Sequence, residues 1–296
     1  MRGEQEAVVD FSTATATLAQ LLQEGMRALQ EQGLPSVRHE AEILLCQTLS
    51  LRRMDLWMTP DRPVATVWAD AFMKKIARRC RHEPLEYIVG EVEFCGMALG
   101  VGPGVFIPRP ETEFIVEAAL RIRHAPLRIL DLCTGSGALA IALARRFPKA
   151  MIVAVDICPE ALSFARLNLR HLCASSQIQL IAGNLFSPLK EGACFDLMVS
   201  NPPYVAVEDW FSLAPNVRNY EPRMALLGGT GGLDFYRRIL GEAAAYLTPQ
   251  GVLILEIGDR QAAAIRQVAG DRFMIDFIPD LSGTDRVAIC RIAGKV

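Results

Sequence analysis

The 296-residue sequence predicts an α/β protein: a mostly parallel sheet domain preceded by a small helical bundle. Three observations predict it. From residue 127 onward, short apolar runs alternate with helix-length segments. A glycine-rich turn follows the first of those runs. The first 85 residues lack such runs and instead space their leucines by three and four positions.

Taken in order, Leu18, Leu21, Leu22 and Leu29 share one helical face, and Ile43, Leu44, Leu45, Phe72, Ile76 and Leu85 continue the apolar set. Pro35 with Ser36 opens one helix, and Pro60 and Pro63 mark a break before another. A helical bundle over residues 1–85 is the simplest packing. Residues 86–107 carry five glycines and alternating apolar positions, which predicts a β-hairpin linker. Residues 108–296 form the second domain. Pro110-Glu111-Thr112-Glu113 starts an apolar helix there, with acids in the first turn where the helix dipole favours them. The predicted strands are Arg128–Leu132, Met151–Val155, Ile178–Ile181, Phe195–Ser200 and Gly251–Ile257, with helices at Ala138–Phe147 and Pro159–Leu172 between them. Continuous apolar strands joined by helices imply a parallel sheet covered on both faces. Phe273–Ile278 and Arg286–Ile292, joined by a short polar turn, predict an antiparallel pair at one edge.

Composition narrows the function. Hydrophobic residues at 51% and charged residues at 22% exclude wholesale disorder. No apolar run is long enough to span a membrane, and the polar, acidic start MRGEQEAVVD does not resemble a leader. The net charge of −2 argues against a dedicated nucleic-acid binder. Eight cysteines without C-x-x-C or His neighbours at zinc spacing predict reduced thiols in a cytoplasmic protein and no metal site.

Asp131-Leu132-Cys133-Thr134-Gly135-Ser136-Gly137 reads as a strand, a tight turn and a helix start. Gly135 permits a backbone shape closed to other residues, and Gly137 a close approach to a ligand. Asp156 ends the next strand, where a carboxylate accepts from both ribose hydroxyls of a nucleoside. Asp131 either holds an amino group or orders the turn. The run also satisfies G-x-G-x-x-A, so a dinucleotide oxidoreductase is a rival reading.

Asn201-Pro202-Pro203-Tyr204 lies just after the fourth strand, at the sheet edge where α/β proteins bind ligands. The prolines stiffen the turn and remove two donors, leaving carbonyl acceptors. The Asn201 oxygen and the Pro202 carbonyl would grip the two N–H bonds of a planar NH2 group, while the Tyr204 ring stacks on its flat face. Such a nitrogen is a poor nucleophile, so orientation and charge stabilisation are what it needs. A dehydrogenase has no use for this motif.

Together these residues resemble the HemK/PrmC family, the glutamine N(5)-methyltransferases of peptide chain release factors. Further support lies in Glu83–Gly90, Phe94-Cys95-Gly96, Ile107–Glu113, Glu221-Pro222 and Gly228–Asp234. The resemblance implies a Rossmann-like, seven-stranded S-adenosylmethionine methyltransferase domain after a substrate-binding helical domain. It implies methyl transfer from S-adenosyl-L-methionine, leaving S-adenosyl-L-homocysteine, to the glutamine of a Gly-Gly-Gln motif in a class I release factor. It places Asp131, Cys133, Thr134, Gly135, Ser136, Gly137, Asp156, Ile157, Asn184, Leu185 and Asn201 at the cofactor. Asn201, Pro202, Pro203 and Tyr204 take the substrate, with Asn201, Pro202 and Tyr204 catalytic. A monomer without stable DNA binding is expected. The family usually has an acid at Asn184, where it would accept from the adenine amino group; the Asn184 oxygen is a weaker substitute.

Adenine-N(6) nucleic-acid methylation is the alternative, because adenine also presents a planar NH2 group and Asn-Pro-Pro-Tyr is shared with such enzymes. A cofactor binder without catalysis is a second. Among weaker signals, Glu111 and Thr112 either border the methionine end of the cofactor or cap a helix. The basic run Lys74–Arg81 reads as a solvated face or a docking patch. Gly228–Gly232 reads as a flexible turn rather than a phosphate loop, and Trp57, Trp68 and Trp210 as packing residues.

Overall fold

In the computed structural model residues 14–294 are described, except 173, 175 and 191. The polar start of the chain and Cys173 lie outside the described residues. The chain divides into two compact units between Val89 and Gly90.

In the first unit β1 (Ala14–Thr17) leads into α1 (Leu18–Glu31), followed by α2 (Val37–Leu49), α3 (Arg53–Met58), β2 (Pro63–Ala65), α4 (Thr66–Arg79) and α5 (Leu85–Val89). Thr17 and Gln20 cap α1 reciprocally, each side chain accepting from the other's backbone N–H. Leu18, Leu21, Leu29, Leu44, Leu45, Phe72 and Ile76 fill one core, as their spacing requires; Leu22 and Leu85 pack at its margin. The antiparallel β1–β2 pair was not expected, because each strand is too short to show a period. Ile88 is buried in this core, so residues 85–89 are a helix rather than the start of a hairpin.

The basic run Lys74–Arg81 is largely spent on internal partners. Arg79 pairs with buried Glu40 at 2.6 Å, Arg78 with Glu83 at 2.5 Å, and Lys75 donates to Gln47. Trp57 and Trp68 depart from the expected packing role: they are 57% and 48% exposed, and Arg38 lies over the Trp57 ring.

The second unit opens with a hairpin of β3 (Glu91–Phe94) and β4 (Met97–Gly100). A short turn, Pro110–Thr112, precedes α6 (Glu113–Leu120). Then come β5 (Arg128–Leu132), α7 (Ala138–Arg146), β6 (Met151–Asp156), α8 (Pro159–His171), β7 (Ile178–Ala182) and β8 (Phe195–Ser200). Two short helices, α9 (Pro215–Tyr220) and α10 (Arg223–Leu226), lead to α11 (Asp234–Tyr246), β9 (Leu247–Glu256), α12 (Ala262–Ala269), β10 (Phe273–Pro279) and β11 (Asp285–Ile292).

The sheet order is β10-β11-β9-β8-β5-β6-β7. The five strands from β9 to β7 are parallel, and β11 is antiparallel to both β9 and β10. Successive residues of β5 face opposite layers: Ile129 joins Ile141 and Leu143 of α7, whereas Leu130 and Leu132 join Tyr236, Ile239 and Leu240 of α11. The chain runs outward through β6 and β7, then crosses back to β8. That reversal opens a crevice at the carboxyl ends of β5 and β8, the place where open α/β sheets bind ligands.

Candidate active site

The glycine turn spans the end of β5. Gly135 has φ +57° and open space where a Cβ would stand, so it turns the chain while leaving room for a ligand. The Asp156 carboxylate accepts from the Gly135 N–H at 2.8 Å and the Cys158 N–H at 2.9 Å. Burial pushes its pKa up, against these bonds. The Ile157 N–H also bonds the carboxylate, and a lone pair remains for a hydroxyl.

Asp131 is fully buried, and burial pushes its pKa up to about 7. Its Oδ2 accepts from the Thr134 hydroxyl at 2.5 Å, which orders the turn. Asp131 Oδ1 and Ser136 Oγ are buried without a partner. Buried polar atoms are normally paired, and Ser136, which lines the cavity, points to a group that completes it. The residues present fit a cofactor with a nucleoside and a charged amino group.

Asn201 lies across the same cavity. Its Nδ2 donates to Thr112 Oγ1 at 3.0 Å, and Thr112 donates to Glu256 Oε2 at 2.6 Å. The Tyr204 hydroxyl also hydrogen-bonds Glu256. Glu256 is 2% exposed, and burial pushes its pKa up to about 7. The Tyr204 carbonyl accepts from Gln261 Nε2 at 3.1 Å. A Cβ on Gly232 would sit 2.0 Å from that carbonyl oxygen, and one on Gly228 would sit 2.6 Å from the Pro203 oxygen. The glycine run therefore packs directly on the back of the Asn-Pro-Pro-Tyr turn, a role beyond the turn the sequence predicted.

One cavity is lined by Cys133, Thr134, Gly135 and Ser136 on one side and Asn201, Pro202, Pro203 and Tyr204 on the other, with Asp156, Ile157, Asn184 and Leu185 between. Asp131 and Gly137 do not line it. Asp131 is enclosed beneath the turn, and Gly137 is spent on helix packing, where a Cβ would meet Ala165 at 3.4 Å. Asn184 Oδ1 accepts from Arg238 at 2.8 Å, so the expected adenine acceptor already has a partner. Thr112 lines the cavity and makes no side-chain cap; Glu111 is absent from the lining.

Sequence reasoning missed several parts. Gly104, Phe106 and Pro108 line the cavity from the loop after the hairpin. Arg109 lies over Phe106 and pairs with buried Glu221, which also accepts from the Ile107 N–H at 3.2 Å. Glu256 went unnoticed although a signal was present: it is an acid closing an apolar strand, as Asp131 nearly is. Among the described residues no cluster of His, Cys, Asp and Glu is placed to hold a metal ion. The seven cysteines described are free thiols.

A nucleoside turn and a turn of planar acceptors, facing each other at the reversal of a seven-stranded sheet, define an S-adenosylmethionine-dependent methyltransferase. Comparison with known proteins carries this further. Residues 20–90 match the PrmC N-terminal domain and residues 111–214 the methyltransferase small domain. A release factor glutamine methyltransferase of Geobacter sulfurreducens is 43% identical over 267 residues, 89% of this chain and 93% of its own length. One of Nitratidesulfovibrio vulgaris is 38% identical, over 95% of this chain and 97% of its own. The chain belongs to the release factor glutamine methyltransferase family. A solved methyltransferase of Pyrococcus furiosus shares the fold at 19% identity, with TM-score 0.51 over 68% of this chain and 90% of its own. The family reading displaces the dinucleotide oxidoreductase.

Proposed function

We propose that the crevice at the ends of β5 and β8 transfers a methyl group to the side-chain amide nitrogen of the glutamine in a release factor's Gly-Gly-Gln motif. The cofactor, S-adenosyl-L-methionine, supplies an electrophilic sulfonium methyl group when bound. Asp156 takes the ribose hydroxyls, and Cys133, Thr134, Gly135, Ser136, Ile157 and Leu185 form the walls around the nucleoside. Asp131 orders the turn through Thr134, and Ser136 Oγ, on the same turn, is offered to the cofactor.

An amide nitrogen is weakly nucleophilic because its lone pair is delocalised into the carbonyl. Asn201 Oδ1 and the Pro202 carbonyl accept from its two N–H bonds. They aim the nitrogen and stabilise the positive charge that develops on it. Pro203 keeps the turn stiff, and the Tyr204 ring covers the flat face of the amide. No strong base is needed, since the methylated nitrogen sheds its proton readily.

The observation that carries this reading is that Asn201, Asp156 and Gly135 share one cavity. The helical unit holds the release factor, and the enzyme works as a cytoplasmic monomer. A net charge of −2 supports the absence of stable DNA binding. Among the described residues no helix is long and apolar enough to cross a membrane.

The test is transfer from labelled cofactor to an intact release factor, to the same factor with its Gly-Gly-Gln glutamine changed to alanine, and to duplex DNA. Label on the intact factor alone is expected. Label on DNA would establish adenine methylation instead.

A further inference from the structure

The Asn201 amide has two chemically opposite ends, and only its oxygen can accept from a substrate NH2 group. We infer that Thr112 and Glu256 are positioning residues that decide which end faces the cavity. Thr112 is 89 residues from Asn201 in sequence and 144 from Glu256, so only the fold brings them together.

A hydroxyl carries one proton. Thr112 gives its proton to Glu256 Oε2 at 2.6 Å, which leaves Oγ1 with lone pairs only. Those lone pairs accept from Asn201 Nδ2 at 3.0 Å. A flipped amide would set two acceptors against each other. Asn201 Oδ1 is therefore left for a donor in the cavity that Asn201 lines. Glu256 is fixed in turn. Tyr204 bonds to its carboxylate, and the Tyr236 hydroxyl donates to its backbone carbonyl at 3.0 Å.

The device works while Glu256 is ionised. A protonated Glu256 donates to Thr112 and frees the threonine proton for Asn201 Oδ1, which erases the preference. Thr112, Tyr204 and Arg286 favour the ionised carboxylate, while burial and Glu111 oppose it; the balance falls at about 7. Arg109, the other cation near Tyr204, is engaged by Glu221. The ionised fraction, and kcat with it, rises as the pH is raised through this value.

The inference rests on the methyl-transfer reading, and the experiment separates the two. Thr112→Val is nearly isosteric and removes the hydroxyl. It should lower kcat by about tenfold or more, the scale of one hydrogen bond, with KM and cofactor affinity nearly unchanged. Thr112→Ser should recover most of the loss, and Glu256→Gln should flatten the rise of kcat with pH. A second readout needs no substrate: the Asn201 side-chain N–H protons, followed by NMR, should exchange slowly in the wild type and fast in Thr112→Val. Wild-type kcat and wild-type exchange in Thr112→Val would overturn the positioning role while methyl transfer stood. Faster exchange in that variant, with no methyl transfer by the wild-type enzyme, would support the positioning and overturn the functional reading instead.

Discussion

The two turns that meet at the cavity are held by opposite means. The glycine turn is held from within one βαβα unit: Thr134 bonds to Asp131 three residues away, the Gly135 N–H reaches Asp156 21 residues on, and the Ser136 carbonyl accepts from Asn168 32 residues on. The Asn201–Tyr204 turn has little local support, because two of its four residues have no N–H to give. It is braced from far along the chain by Thr112, Glu256, Gln261 and the glycines at 228 and 232. A wall proposed for a nucleoside, held within one βαβα unit, tolerates change elsewhere in the chain. A turn that must present acceptors to one nitrogen has to be stiffened from outside. Damage from distant substitutions should therefore concentrate on the acceptor turn.

Asn201→Ala tests the premise and should have the largest effect. Removing a preorganised acceptor costs about 10²–10³-fold in turnover, while cofactor affinity stays nearly constant. Near-normal turnover in single-turnover assays would take Asn201 out of the reaction.

Gly232→Ala tests the bracing. Its Cβ would collide with the Tyr204 oxygen at 2.0 Å, and its φ is +70°. Strain and overpacking together should cost about 3 kcal/mol of stability in denaturant titration. Gly135→Ala is the control. Its φ of +57° is also left-handed, but nothing lies within 4 Å of the added carbon. Only backbone strain remains there, about 1–2 kcal/mol. Equal losses in the two variants would break the comparison.

Asp156→Ala sharpens the other half. It removes the carboxylate that holds the glycine turn and is proposed to take the ribose, so cofactor binding should weaken by about 1.5–3 kcal/mol, the scale of hydrogen bonds to a charged group. Calorimetry reads this directly, and unchanged affinity would refute the ribose role.

The same contrast explains what the sequence disclosed. Parallel strands, the antiparallel edge pair and the glycine turn were legible because each depends on neighbours within a few residues or on a strong apolar period. The sequence pattern makes the hairpin too long because Leu85–Val89 carries too few residues to show a helical period, and its conformation is decided by Ile88 entering a core assembled elsewhere. Asn201 and Tyr204 were visible as a motif, whereas their supports were not. Gln261 looks like any helix-start glutamine until the fold brings the Tyr204 carbonyl within 3.1 Å. Gly228–Gly232 reads as a flexible turn, and only the structure shows that Gly228 and Gly232 pack against the backbone of another turn.

Asn184→Asp should give the smallest effect and tests whether the nucleoside side is as tolerant as its local construction implies. Asn184 is exposed at the cavity and its oxygen already accepts from Arg238 at 2.8 Å. Aspartate would convert that hydrogen bond into an exposed ion pair, worth about 0.5 kcal/mol because water screens it and side-chain entropy opposes it. The new charge would be largely neutralised by Arg238 rather than offered to an adenine amino group. Cofactor affinity should therefore tighten by less than about threefold, and added salt should shrink the gain further. A tightening of about tenfold or more, insensitive to salt, would mean that this position grips adenine nearly as strongly as Asp156 is proposed to grip ribose. The nucleoside side would then depend on a single side chain, as the acceptor side does, and the contrast between the two turns would fail.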